Sequence, residues 1–130
     1  MLKRGSTALL VLAVGVAMAA PAWADCQNKI GLSITPAGVA IDASGTAEVR
    51  SQGAQQRFKV SIDARVADGT TFEVFANGQV AGTITIALGA GELDLNNNNG
   101  AVLPAGVDPV CGVATVDVLS AGTVILQGTF

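Results

Sequence analysis

With 130 residues, no histidine, no tyrosine and one tryptophan, Trp23, the chain lacks most of the side chains that carry acid–base, nucleophile-activating and metal chemistry. It is half hydrophobic with a net charge of −3. A phosphate-binding surface needs clustered Lys and Arg, so nucleic acid is excluded as an expected partner, and the same sign disfavours anionic membrane surfaces.

At the N-terminus, Lys3 and Arg4 precede an uncharged, mostly apolar stretch from Ser6 to Ala20, then Pro21 and the small-residue pattern Ala22-Trp23-Ala24. A membrane-crossing helix takes roughly 20 apolar residues, so this shorter run reads as a signal peptide, residues 1–24, cleaved after Ala24. No membrane span is expected after its removal. Trp23, Ala24 and the charged Asp25 before Cys26 do not make a lipidation site.

The remaining 25–130 are enough for one core and are read as a single all-β domain, exported to the periplasm, cell surface or medium. Its five cations, Lys29, Arg50, Arg57, Lys59 and Arg65, face ten carboxylates, a net −5. Two cysteines in an exported chain predict a disulfide, Cys26 to Cys111. Closing that long a loop contributes about 4 to 5 kcal/mol in the chain-entropy model.

Short runs rich in Val, Ile, Thr and Phe follow, punctuated by Gly, Asn, Asp and Pro, and no long run has helical apolar spacing. Ile30–Ile34, Val39–Ile41 and Thr46–Arg50 are the first expected strands. From Arg57 to Val66, Phe58, Val60, Ile62, Ala64 and Val66 alternate with polar residues, one face to the core and one to water. Asp68-Gly69 turns into Thr70–Ala76, where Phe72 and Val74 share one face while Glu73 and Phe75 share the other.

Asn77-Gly78 is a strong hairpin signal, since both central residues of a type I′ turn need positive φ. The return strand Val80–Leu88 then places Val80, Gly82, Ile84, Ile86 and Leu88 on the core face. After a turn at Gly89–Gly91, Leu93 and Leu95 point inward from Glu92–Leu95. A polar loop from Asn96 to Gly100 follows, and Pro104 and Pro109 keep the segment up to Cys111 out of any central strand. Replacing Gly100 in this loop is expected to matter less than replacing Gly78. Val113–Val118, a turn at Ser120–Gly122 and Thr123–Phe130 close the chain as a second hairpin.

Seven to nine short strands in so short a domain predict a small antiparallel β-sandwich, with a small closed β-barrel as the alternative. The final Phe130 raises an outer-membrane barrel, but most runs are shorter than the 9 to 11 residues such strands need and lack aromatic girdles.

Glu92 and Asp94 project from one strand face, a spacing open to a general acid and base on a sugar, but they alternate with Leu93 and Leu95 as a solvated outer face does. Asp94, Asn96 and Asn98 with Gly100 offer oxygen ligands at alternate positions, yet the glycine comes one residue late for a calcium loop and Ala105 stands where its bidentate Glu belongs. Of the four phenylalanines, Phe58 and Phe72 are in core phase, Phe130 ends the last strand, and Phe75 is the candidate anchor for a partner, beside Glu73.

The turn and core residues Asp68-Gly69-Thr70-Thr71-Phe72-Glu73-Val74, Asn77-Gly78-Gln79-Val80-Ala81-Gly82-Thr83 and Val124-Ile125-Leu126-Gln127-Gly128-Thr129-Phe130 resemble a loose class of small exported bacterial β-domains. The resemblance implies export and a β fold and carries over no activity or site. Chaperone-assembled pilins differ in their short disulfide loop. The function expected is a non-enzymatic structural or interaction domain that holds a protein partner or self-associates. A carbohydrate or calcium module is the alternative and a carboxylate-based hydrolase the third reading. No catalytic, cofactor or metal residues and no cofactor are assigned.

Overall fold

A computed structural model describes residues 25–130; residues 1–24, which hold the expected signal peptide, lie outside the described residues. Strict two-residue alternation builds the strands. In β4 (Gln55–Asp63), Phe58, Val60 and Ile62 are buried while their neighbours face out, and Ala64 just beyond the strand keeps the phase. The other strands are β1 (Cys26–Gly31), β2 (Ser33–Ile34), β3 (Ser44–Gln52), β5 (Thr71–Ala76), β6 (Gln79–Thr85), β7 (Ala90–Asn96), β8 (Thr115–Ser120) and β9 (Thr123–Thr129).

They form two antiparallel sheets, ordered β1-β3-β4-β7 and β2-β9-β8-β5-β6. Leu126 of β9 lies over Gly45 of β3, and Leu93 of β7 covers Gly82 of β6, so side chains interdigitate between the layers. Phe58, Phe72, Ile62, Ile84, Ile125 and Leu126 are among the largest buried side chains of one shared core. Burying each such side chain contributes roughly 1.5–3 kcal/mol. Among the described residues both sheets keep open edges, so the architecture is the expected sandwich and not the closed barrel.

Three two-residue connections, Asn77-Gly78, Leu88-Gly89 and Ala121-Gly122, have positive φ at both central residues and join directly paired residues, as type I′ hairpins do. The Asn77-Gly78 turn forms as expected, and Phe72, Val74, Ile84 and Ile86 are all buried, but the turn alone does not set their register: continued unshifted it would pair Phe72 with Thr83, whereas Phe72 pairs with Ile84. The next turn falls at Leu88-Gly89, ahead of the expected Gly89–Gly91, because Ala87 pairs with Ala90.

Two expectations about strand phase are overturned. Val39–Ile41 is no strand: Pro36 sits at the start of a helical turn, α1 (Pro36–Val39), whose first turn is capped by Thr35 Oγ1 accepting from the Gly38 amide at 3.3 Å. In β6 the ladder shifts between Val74↔Gly82 and Phe75↔Val80, leaving Ala81 as an extra residue. That bulge buries Ala81 and turns Val80 outward, 56% exposed, while Leu88 stands on its hairpin tip, 93% exposed.

The end of the sandwich opposite the Leu88 tip is closed by the segment after β7. Three short 3-10 turns, Asn98–Gly100, Ala105–Val107 and Val110–Gly112, carry it past the sheets, and Leu103, Val107, Val110 and Val113 are buried. Pro104 and Pro109 thus fall outside strands, as read from the sequence. Cys111 on the last turn is disulfide-bonded to Cys26 at the start of β1, with the Cα atoms 5.9 Å apart. Gln56 fixes the same segment to β4: its Oε1 accepts from the buried Val110 amide at 2.8 Å.

Candidate interaction surfaces

The two outer faces of the sandwich differ in chemistry. On the five-stranded sheet, alternation with buried Phe72, Val74 and Ala76 turns Glu73 and Phe75 outward together, as expected. β5 is an interior strand there, between β6 and β8. Phe75 is half-buried; it pairs with the exposed Val80 on one side and with Asp117 on the other. Glu73 pairs with Leu119, which in turn pairs with Val124, both half-buried.

Val80–Phe75 and Leu119–Val124 are thus two apolar pairs in neighbouring rows, with Asp117 opposite Phe75 and Glu73 opposite Leu119, and together they make a stepped apolar strip across four strands. Thr71, Thr83 and Thr85 border it, and Glu73 and Asp117 supply its charges. Sequence reading placed Phe75 and Glu73 here but missed Val80, although the two-residue Asn77-Gly78 turn pairs Val80 with the outward Phe75 and so carried the signal. Leu119 was accessible to simple alternation, since it falls out of phase with buried Val116 and Val118.

The outer face of the four-stranded sheet carries four of the five described cations. Across the strands runs the row Lys29, Glu48, Lys59 and Asp94, alternating in sign. The next row, Gln27, Arg50, Arg57 and Asn96, sets two arginines directly opposite each other. Like charges there are unfavourable, and Arg57 turns to Asp94 instead, donating from Nε at 2.9 Å and Nη2 at 2.6 Å. Those hydrogen bonds hold the Asp94 carboxylate below the usual carboxylate range.

Glu92 lies 3.9 Å from Lys59 Nζ, so each carboxylate of the Glu92 and Asp94 pair faces a cation of its own sheet. In the asparagine loop, Asn96 Oδ1 accepts from the Asn98 amide, Asn97 Oδ1 accepts from the Gln56 amide, and Asn97 Nδ2 donates to the Ala54 carbonyl. Beside it, Arg50, Gln52, Gln55, Arg57, Asp94 and Asn98 line an open depression of about 440 Å³. Among the described residues no three His, Cys, Asp or Glu side chains gather as a metal site, and no helix is long and apolar enough to cross a membrane. No known family model matches the chain, and no curated protein is similar to it.

Proposed function

We propose that the mature chain is a non-enzymatic structural or interaction domain of a bacterial periplasm or cell surface. The observation that carries this reading is the apolar strip of Phe75, Val80, Leu119 and Val124 on the outer face of the five-stranded sheet, with carboxylates beside it. Such a strip suits a protein partner that brings apolar side chains and a cation for Glu73 or Asp117. The disulfide across the closed end accords with an oxidising compartment. Asp94 accepts two hydrogen bonds from Arg57 and Glu92 faces Lys59, so both carboxylates of the pair are engaged within their own sheet, which weighs against the hydrolase reading.

A second reading, a carbohydrate-binding module, draws on the amide- and arginine-lined depression next to Asn98. Calcium in the same loop would have to displace Arg57 from Asp94.

Phe75→Ala separates an anchor from a core residue. A buried Phe costs ~3 to 5 kcal/mol when truncated; the half-buried Phe75 should cost under about 2 kcal/mol in urea unfolding while association with the partner falls. A core-sized stability loss with association unaltered would make Phe75 a packing residue and withdraw the assignment.

A further inference from the structure

We infer that the two edges of the four-stranded sheet, unpaired among the described residues, are complementary, so that β1 of a second copy of this chain adds to β7 and extends the sheet from molecule to molecule. This goes beyond the reading above and uses neither Phe75 nor its face. In an antiparallel ladder, hydrogen-bonded pairs alternate with pairs whose backbone groups point away. The bonds from Ala64 N to Gly89 O and from Asn97 N to Gln56 O bracket β7, so the odd-numbered residues Gly91, Leu93 and Leu95 bond to β4. The N–H and C=O groups of Glu92, Asp94 and Asn96 therefore face outward along the edge.

On the other side, the bond from Leu32 N to Gly45 O places Ile30 and Asn28 in bonded pairs with β3 and leaves Gln27, Lys29 and Gly31 facing outward. The sheet has an even number of strands, all antiparallel, so β1 and β7 run in opposite directions. A second copy in the same orientation thus presents β1 antiparallel to β7, the sense required for a continuous antiparallel ladder.

One register satisfies every group at once. Setting Lys29 of the second copy opposite Asp94 sets Gln27 opposite Asn96 and Gly31 opposite Glu92, all in hydrogen-bonding positions. The charge row of the outer face then continues in alternation, with Lys29 beyond Asp94. On the inner face the half-buried Ile30 meets the half-buried Leu93 in a non-bonded pair, where side chains approach most closely. Pairing β7 with β7 would set carboxylates against carboxylates, so the edge charges that discourage like-with-like pairing favour this one. The contact is heterologous and leaves a free edge at each end, so it propagates.

The test uses protein purified after export of the full chain. Lys29→Pro removes an outward N–H from β1, and Asp94→Pro removes one from β7, neither of which serves the molecule's own ladder. Sedimentation should show wild-type oligomers growing with concentration, each variant monomeric, and an equimolar mixture of the two forming dimers and nothing larger. Lys29→Glu, which leaves the backbone donor in place, should weaken wild-type assembly about tenfold and covers the case in which a proline variant fails to fold. Wild-type protein that stays monomeric at millimolar concentration, or a Lys29→Glu variant that assembles as wild type does, would overturn the inference. Neither outcome bears on Phe75, whose test reads a different surface.

Discussion

Asn77 shows how much one side chain contributes beyond the turn it was recognised by. Its φ of 52° meets the positive-φ demand of a type I′ hairpin, the property legible in the sequence. What was not legible is that its amide reaches the chain before β8: Oδ1 accepts from Ala114 N at 2.8 Å and Thr115 N at 3.3 Å, and Nδ2 donates to Gly112 O at 3.1 Å. Those partners are 35 or more positions away, a distance that local propensity cannot see. Asn77→Gly keeps the backbone conformation but loses these bonds and adds backbone entropy to the unfolded chain, so it should cost about 1 to 2 kcal/mol. Asn77→Ala also meets the left-handed penalty and should cost roughly 1 kcal/mol more. Urea midpoints in the order wild type, Asn77→Gly, Asn77→Ala are expected; equal midpoints for wild type and Asn77→Gly would remove the long-range role. The expectation that Gly100 tolerates replacement better than Gly78 loses its basis, because both have nearly the same positive φ, 77° and 78°.

At the scale of elements, the strands with clean alternation were legible, and the departures trace to bulges and caps. β4, β5 and β8 follow from side-chain period alone, whereas β9 carries a bulge at Ile125 that buries Ile125 and Leu126 in succession. The strip on the five-stranded face was only half legible: the Asn77-Gly78 turn pairs Val80 with the outward Phe75, whereas unbroken alternation with Ile84 and Ile86 sets Val80 inward, and the Ala81 bulge reconciles the two. Val39–Ile41 was misread because its apolar residues suggested a strand, whereas Thr35 and Pro36 just before it form a helix start. α1 also fits tightly against β9: a Cβ on Gly38 would lie 2.3 Å from the Ile125 carbonyl oxygen. Helix propensity alone predicts that Gly38→Ala gains up to about 1 kcal/mol, whereas this contact predicts a loss of about 1 to 3 kcal/mol. Thermal unfolding of that single variant decides by its sign. A raised melting temperature would mean that α1 does not dock on β9 at this distance.

For the whole molecule, the division of chemistry between faces is what links fold to function. Two sheets share one core, so each has a single outer surface to offer. One surface carries rows of charged side chains, and the other carries an apolar strip with two carboxylates. The sandwich class, the disulfide and the outward position of Glu73 and Phe75 could be read from the sequence. The sheet order could not, because pairing β5 with β8 and β1 with β3 joins segments separated by long connections. The central claim is that the strip on the five-stranded sheet is the surface at which a partner is held. A photo-crosslinking residue in place of Val80, in protein exported by its own cell, tests this most directly when compared with one in place of Thr46 on the opposite sheet. Adduct to a discrete protein at position 80, lost in the Phe75→Ala background and absent at position 46, is the result expected. Equal adduct at both positions, or none at position 80 in folded, disulfide-bonded protein, would contradict it.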